Sequence, residues 1–220
     1  MKLFKLRAGE SFIEVIVAVV VIGMTVIIAL NLLLNATSNT STNRNFLLAD
    51  NLALEGIEAV STMISTNILK HGVENANTCW LAYATDTNNA LFTADKCAQN
   101  KIVQPGQATE SFLMRGYAIP DLHWDLNRNT NQAIDLENLA NNTPFRLYRA
   151  TLPPPLDVNY YYTNEISNNT PSLFYRSVKL ALDAGGTRVT ATVNVAWKED
   201  GRVRHIEKTA SLTNTNFTEQ

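Results

Sequence analysis

The sequence lacks almost everything from which an active site is usually assembled. It has three histidines, His71, His123 and His205, each isolated from the others, and only two cysteines. No G-x-S-x-G elbow accompanies any histidine, so a serine triad has no local signature. P-loop, G-x-G-x-x-G, H-E-x-x-H and EF-hand patterns are missing too, which leaves nucleotide-binding, zinc-hydrolase and calcium-loop classes unsupported. The expectation is a chain that is not an enzyme and carries no cofactor and no metal. Cys79 and Cys97 sit in no C-x-x-C or Cys/His cluster, which argues against zinc and thioredoxin-like roles. In an exported body they are expected to form a disulfide; otherwise they are two small buried residues.

Basic charge is also scarce. The formal net charge is −2, and nothing suggests a nucleic-acid surface. What basic charge there is has an uneven placement, with Lys2, Lys5 and Arg7 inside the first nine residues. Without those three of the 18 basic residues, the remainder carries 15 against 20 acidic residues, a net of −5. A chain of 220 residues is long enough for one ordinary domain plus a helical extension.

The most informative stretch follows the basic start. Val15 to Leu34 is a run of 20 residues without charge, interrupted only by Gly23, Thr25 and Asn31. About 20 residues is what a helix needs to cross the hydrocarbon core. Valine and isoleucine dominate, yet in lipid the backbone must satisfy its own hydrogen bonds, so helix is favoured over strand. Basic residues before the run and none soon after it predict a cytoplasmic N-terminus and a body outside. A cleaved secretory signal would have an apolar stretch shorter than this one, and neither it nor an uncleaved signal anchor explains Glu14. A carboxylate at the edge of such a run costs up to ~2.5–3.5 kcal/mol near the bilayer centre, so it calls for a cationic partner.

A third reading supplies that partner. The segment Gly9-Glu10-Ser11-Phe12-Ile13-Glu14-Val15, behind a short basic leader, resembles the prepilin signal of the type IV pilin family. The resemblance implies a leader of residues 1–9 cut after Gly9, with Glu10 as the new N-terminus and its amine as the site of N-methylation. It implies further that Glu14 neutralises the amine of a neighbouring subunit during assembly. The chain departs from the family in having Glu10 where Phe is usual. It also lacks the proline that many major pilins carry midway along the helix, leaving Gly23 as the weak point.

Beyond the apolar run, residues 35–45 are polar and poor in helix formers, so the helix is expected to loosen there. Periodicity resumes at Leu47, Leu54, Ile57, Val60, Ile64 and Ile68, which are placed on one body-facing side of a helix ending near Lys70, His71 and Gly72. ADNLALEGIEAV (49–60) resembles a motif of PilV-like minor pilins and pseudopilins. Glu55 and Glu58, three residues apart, are read as solvated or ion-paired flank residues and not as a catalytic pair.

Residues 72–145 read as a loop-rich insertion with short strands or a short helix over 131–140. Strand signals then become regular at 145–152, 174–182, 187–197 and 202–213, separated by Pro153-Pro154-Pro155, by Asp183-Ala184-Gly185-Gly186 and by a hairpin turn at Lys198-Glu199-Asp200-Gly201. Val189, Ala191, Val193 and Val195 share one face, Trp197 is expected in the core and His205 at the surface. This C-terminal hairpin also resembles that of pilin-like proteins.

The reading is therefore an α+β chain: residues 1–9 a leader, 10–71 a long helix with 12–34 spanning the membrane, and 72–220 a head with an antiparallel sheet of about four strands. The resemblance implies a minor pilin or pseudopilin, a structural subunit of a type IV pilus or type II secretion-like filament. Its partners would be a prepilin peptidase, other pilin subunits, the inner-membrane assembly platform and the membrane. It would be a single-pass membrane protein first and part of a surface filament afterwards. The alternative is a membrane-anchored monomeric adhesion or DNA-uptake protein.

Overall fold

The computed structural model describes residues 8–71, 78–82, 97, 101–107, 110–116, 124–130, 133–150, 161–164 and 169–214. By packing, the chain divides into two units, Met1–Leu47 and Leu48–Gln220. One helix, α1, runs from Ala8 to His71.

The loosening expected over residues 35–45 does not occur: α1 is unbroken through them. Its threonines serve the helix's own backbone. The Thr37 hydroxyl donates to the carbonyls of Leu33 and Leu34 at 3.1 and 2.9 Å, and that of Thr40 to the carbonyl of Ala36 at 2.8 Å. These hydroxyls satisfy themselves on the preceding turn without interrupting the helix.

In the second unit, α1 buries one face. Ala49, Leu52, Ala53, Gly56, Ala59, Val60, Met63, Ile64 and Asn67 are all buried, at the three- and four-residue spacing of a helical stripe. Of the six residues expected to face the body, Val60 and Ile64 do so, and Ile57 and Ile68 pack against the core at its margin. Leu47 and Leu54 do not: they are 63% and 44% exposed. The stripe includes the small residues Ala49, Ala53, Gly56 and Ala59 beside Leu52, Val60, Met63 and Ile64.

That sheet has seven strands, not about four, and every pairing is antiparallel. They are β1 (Glu110–Gly116), β2 (Trp124–Thr130), β3 (Arg146–Ala150), β4 (Tyr161–Thr163), β5 (Thr170–Leu182), β6 (Arg188–Glu199) and β7 (Arg202–Thr213). The 13-residue β5 is the spine. On one side it pairs with β6 from Phe174 to Leu182, and β6 pairs in turn with β7. On its other side two strands share its length: β3 takes Thr170 to Tyr175 and β1 takes Val178 to Leu180. β2 and β4 extend those two strands outward. β1 and β2 are short strands of the insertion, and the three-residue β4 (YYT) falls outside the strand signals read from the sequence.

The inward faces of β5 and β6 form the core with α1. Phe174, Val178, Leu180 and Leu182 alternate inward on β5, and Val189, Ala191, Val193, Val195 and Trp197 on β6, all at most 4% exposed. Trp197 meets Phe174 with ring centroids 6.0 Å apart. The β6–β7 turn has Asp200 at φ 49° and Gly201 at φ 76°, the positive pair of a type I′ hairpin whose twist suits the strands it joins.

A short helix over 131–140 is not what forms. Residues 133–138 are irregular, a 3-10 helix follows at Leu139–Phe145, and Asn131 and Gln132 lie outside the described residues. Asn142 holds the irregular segment: its side-chain oxygen accepts from Asp135 N at 2.8 Å, and its amide donates to Asp135 O at 2.7 Å and Asn138 O at 3.2 Å. This segment contacts β5 and β6 on the face turned away from α1. There it helps bury Ala196 and Ser177.

Candidate functional site

The first site is the N-terminal part of α1. Gly9 and Glu10 lie within the helix, but their side chains, and leader residues 1–7 entirely, fall outside the described residues. Glu14 is exposed one turn further on, and no described cation pairs with it. Every residue from Phe12 to Ser41 is exposed. The most apolar 18-residue window of this helix has a mean hydropathy of 2.9 with none of it buried. By length and composition the helix can cross a membrane. The core helix of a soluble domain would have covered that surface; this one leaves Ile13, Val17, Val20, Ile27 and Leu34 all about half exposed or more.

The second feature is the coupling of α1 to the sheet within the unit Leu48–Gln220. Arg176 is fully buried on β5, where the alternation calls for an apolar residue. One terminal nitrogen donates to the Leu52 carbonyl at 3.2 Å and to the Glu55 carboxylate at 3.1 Å. Lys208 of β7 reaches Asp50 at 2.7 Å. Glu55 is thus an ion-paired flank residue and Glu58 an exposed one, as the sequence suggested. Arg176 was not singled out from the sequence, although its inward parity between Phe174 and Val178 was the signal. A buried guanidinium needs charge-assisted partners, and a carboxylate on the packed helix is where one can be found.

Cys79 and Cys97 form a disulfide, both residues being fully buried, and it closes a loop with a sequence separation of 18. Asn67 of α1 donates its amide to Trp80 O at 3.2 Å and Ala82 O at 2.9 Å, tying this segment to the helix. Trp80 is fully buried in the main core. Among the histidines, His205 is exposed on β7 as expected; His123 and the side chain of His71 lie outside the described residues. Among the described residues there is no cluster of three or more His, Cys, Asp or Glu able to hold a metal ion.

These features define a class: an α+β chain with a long apolar N-terminal helix, membrane-competent by composition, and an antiparallel sheet packed on the helix's second part, consistent with a pilin-like fold. Compared with protein-family models, with curated proteins and with solved structures, the chain matches none.

Proposed function

We propose that the chain is a structural subunit, a minor pilin or pseudopilin, of a type IV pilus or type II secretion-like filament. The observation that carries this reading is the pairing of Glu14 with an uncovered apolar helix. A surface of that size needs either lipid or other helices, and the same residues satisfy both in turn. At ~25 cal/mol per Å² of apolar area, helix-against-helix burial retains the stabilisation that lipid gave. Prepilin peptidase removes residues 1–9, and Glu10 becomes the N-terminus whose amine is methylated. On a helix rising roughly 1.5 Å per residue, Glu14 then lies about 6 Å along the axis from that amine. One subunit's acid meets another's amine as the helices stagger, and the charge of each is neutralised away from water. The role is structural and not catalytic, in keeping with a sequence that has no enzyme signature.

The direct test is the N-terminal sequence and mass of the protein recovered from the cell envelope. A start at Glu10 is the expected result. A start at Met1, or beyond residue 34, contradicts the reading and favours a signal anchor or an exported soluble protein.

A further inference from the structure

The face of the sheet turned away from α1 carries a concavity of about 300 Å³ between the Glu137 segment and the ends of β3, β5, β6 and β7. Arg146, Tyr175, Lys198, Glu137, Leu173 and Val203 line it, all within the unit Leu48–Gln220. Its volume is at the lower end of small-molecule sites, ~300–1,000 Å³.

Arg146 is the informative residue. Its Nε donates to the Ser172 carbonyl at 2.9 Å, and the guanidinium lies over the Tyr175 ring, 5.9 Å from the centroid. Those two contacts fix the plane of the group. Neither terminal nitrogen hydrogen-bonds to a described residue, and no described carboxylate pairs with Arg146 or with Lys198. A guanidinium held by its inner nitrogen, with its outer fork free in a cavity, is arranged for a planar anion taken bidentately. Lys198, exposed on β6, adds a second positive charge.

The remaining lining narrows the ligand. Glu137 puts one carboxylate on the wall, so the net charge of the cavity is one positive unit, suited to a monoanion more than to a dianion such as phosphate. A carboxylate on the wall is also an acceptor for hydroxyl groups. The segment bearing it is held in place, since Glu137 N donates to the Asp135 carboxylate at 2.9 Å. Leu173, 42% exposed, and Val203 supply an apolar rim for C–H surface. One negative charge, a hydroxyl within reach of Glu137 and one apolar face describe a hydroxylated carboxylate such as a sugar acid.

We propose that this concavity is a binding site for a hexuronate-type unit, with Arg146 taking the carboxylate and Glu137 a hydroxyl. All the residues belong to the head, so the site stands whether or not the chain enters a filament.

The test uses full-length protein in detergent micelles with labelled methyl groups, followed by NMR as D-glucuronate is added. Resonances of Leu173 and Val203 should shift, with a dissociation constant on the order of millimolar for so small a ligand. D-glucose should leave them unmoved at the same concentration, and acetate should bind at least tenfold more weakly. Lys198→Gln, at an exposed position, should weaken binding three- to tenfold without altering the unfolding midpoint. Arg146→Lys, which keeps charge but loses the fork, should weaken it tenfold or more. No shift with glucuronate, glucose binding as well as glucuronate, or acetate or sulfate binding as well would each overturn the proposal. So would wild-type affinity in the Lys198→Gln protein.

Discussion

Two stretches of α1 put apolar residues to different uses. Val15–Leu34 is apolar almost without interruption and has no buried residue. Ala49–Asn67 is interrupted by Asp50, Asn51, Glu55 and Glu58, yet it supplies the helical side of the core. A helix is buried in its own domain when apolar residues recur along one stripe and polar ones cover the rest. Apolar residues on every side designate an environment that the single chain does not provide. The more hydrophobic half is therefore the exposed one.

The sharpest way to break this comparison is to alter each half and ask whether the other notices. Glu14→Ala and Glu14→Gln are expected to reduce incorporation into filaments at least tenfold, measured on sheared surface material by immunoblot. The urea-unfolding midpoint of the head should stay unchanged in both. Normal filaments from the Gln variant would show that the charge at Glu14 is dispensable. That result would remove the main support for the filament reading while leaving the fold intact.

In the other half, Leu52→Ala should cost about 2–5 kcal/mol of head stability, because Leu52 is 2% exposed within the core. Leu54→Ala, two residues further along at 44% exposure, should cost less than ~1 kcal/mol. Equal costs would mean that the helix face has been assigned wrongly. This pair also marks where sequence reasoning went astray. Branched residues at Leu47 and Leu54 fell on the right period, but the buried stripe includes Ala49, Ala53, Gly56 and Ala59, whose small side chains carry little hydropathy. The C-terminal hairpin was legible to within two residues, since Val189 to Trp197 alternate cleanly and Asp200-Gly201 meets the turn's need for positive φ, although β6 runs on to Glu199 past the expected start of the turn at Lys198. β1 and β2 were legible only as unplaced short strands, because ESFLMRG has no polar/apolar alternation and WDLNRNT keeps it for only four residues, and they take their places through pairing with β5 and with each other. Of the candidate site, the apolar run, Glu14 and the two cysteines could be read directly. Arg176 needed the parity of its strand and the knowledge that Glu55 lies opposite.

That ion pair gives a smaller and more specific test. Glu55→Ala removes the carboxylate that meets the buried Arg176 at 3.1 Å, and should cost about 2–4 kcal/mol. Arg176→Met in the Glu55→Ala background should recover much of that loss, because the uncompensated charge is gone. A double-mutant cycle by urea unfolding measures the coupling. Additive costs would mean that the pair is not coupled. Lys208→Ala, which removes the partly exposed pair with Asp50, should matter by less than ~1 kcal/mol.

The smallest effect concerns the β5–β6 turn. The backbone N–H of Arg188 donates to the Asp183 carboxylate at 2.9 Å and that of Thr187 at 2.8 Å, with the Thr187 hydroxyl at 3.3 Å. Led by the Arg188 hydrogen bond, these contacts hold the Asp183 carboxyl below the usual carboxylate range against the opposing effect of desolvation. A folded value below the unfolded one means that the carboxylate's contribution is present above the unfolded value of about 3.9 and lost as pH falls through the folded value. Asp183→Asn keeps the shape of the side chain while weakening its acceptor, and the site is exposed, so the loss at neutral pH should be slight. The unfolding midpoints of the two proteins should differ at pH 7 and converge in strong acid. A gap that persisted unchanged there would show that Asp183 acts through turn geometry and not through its charge.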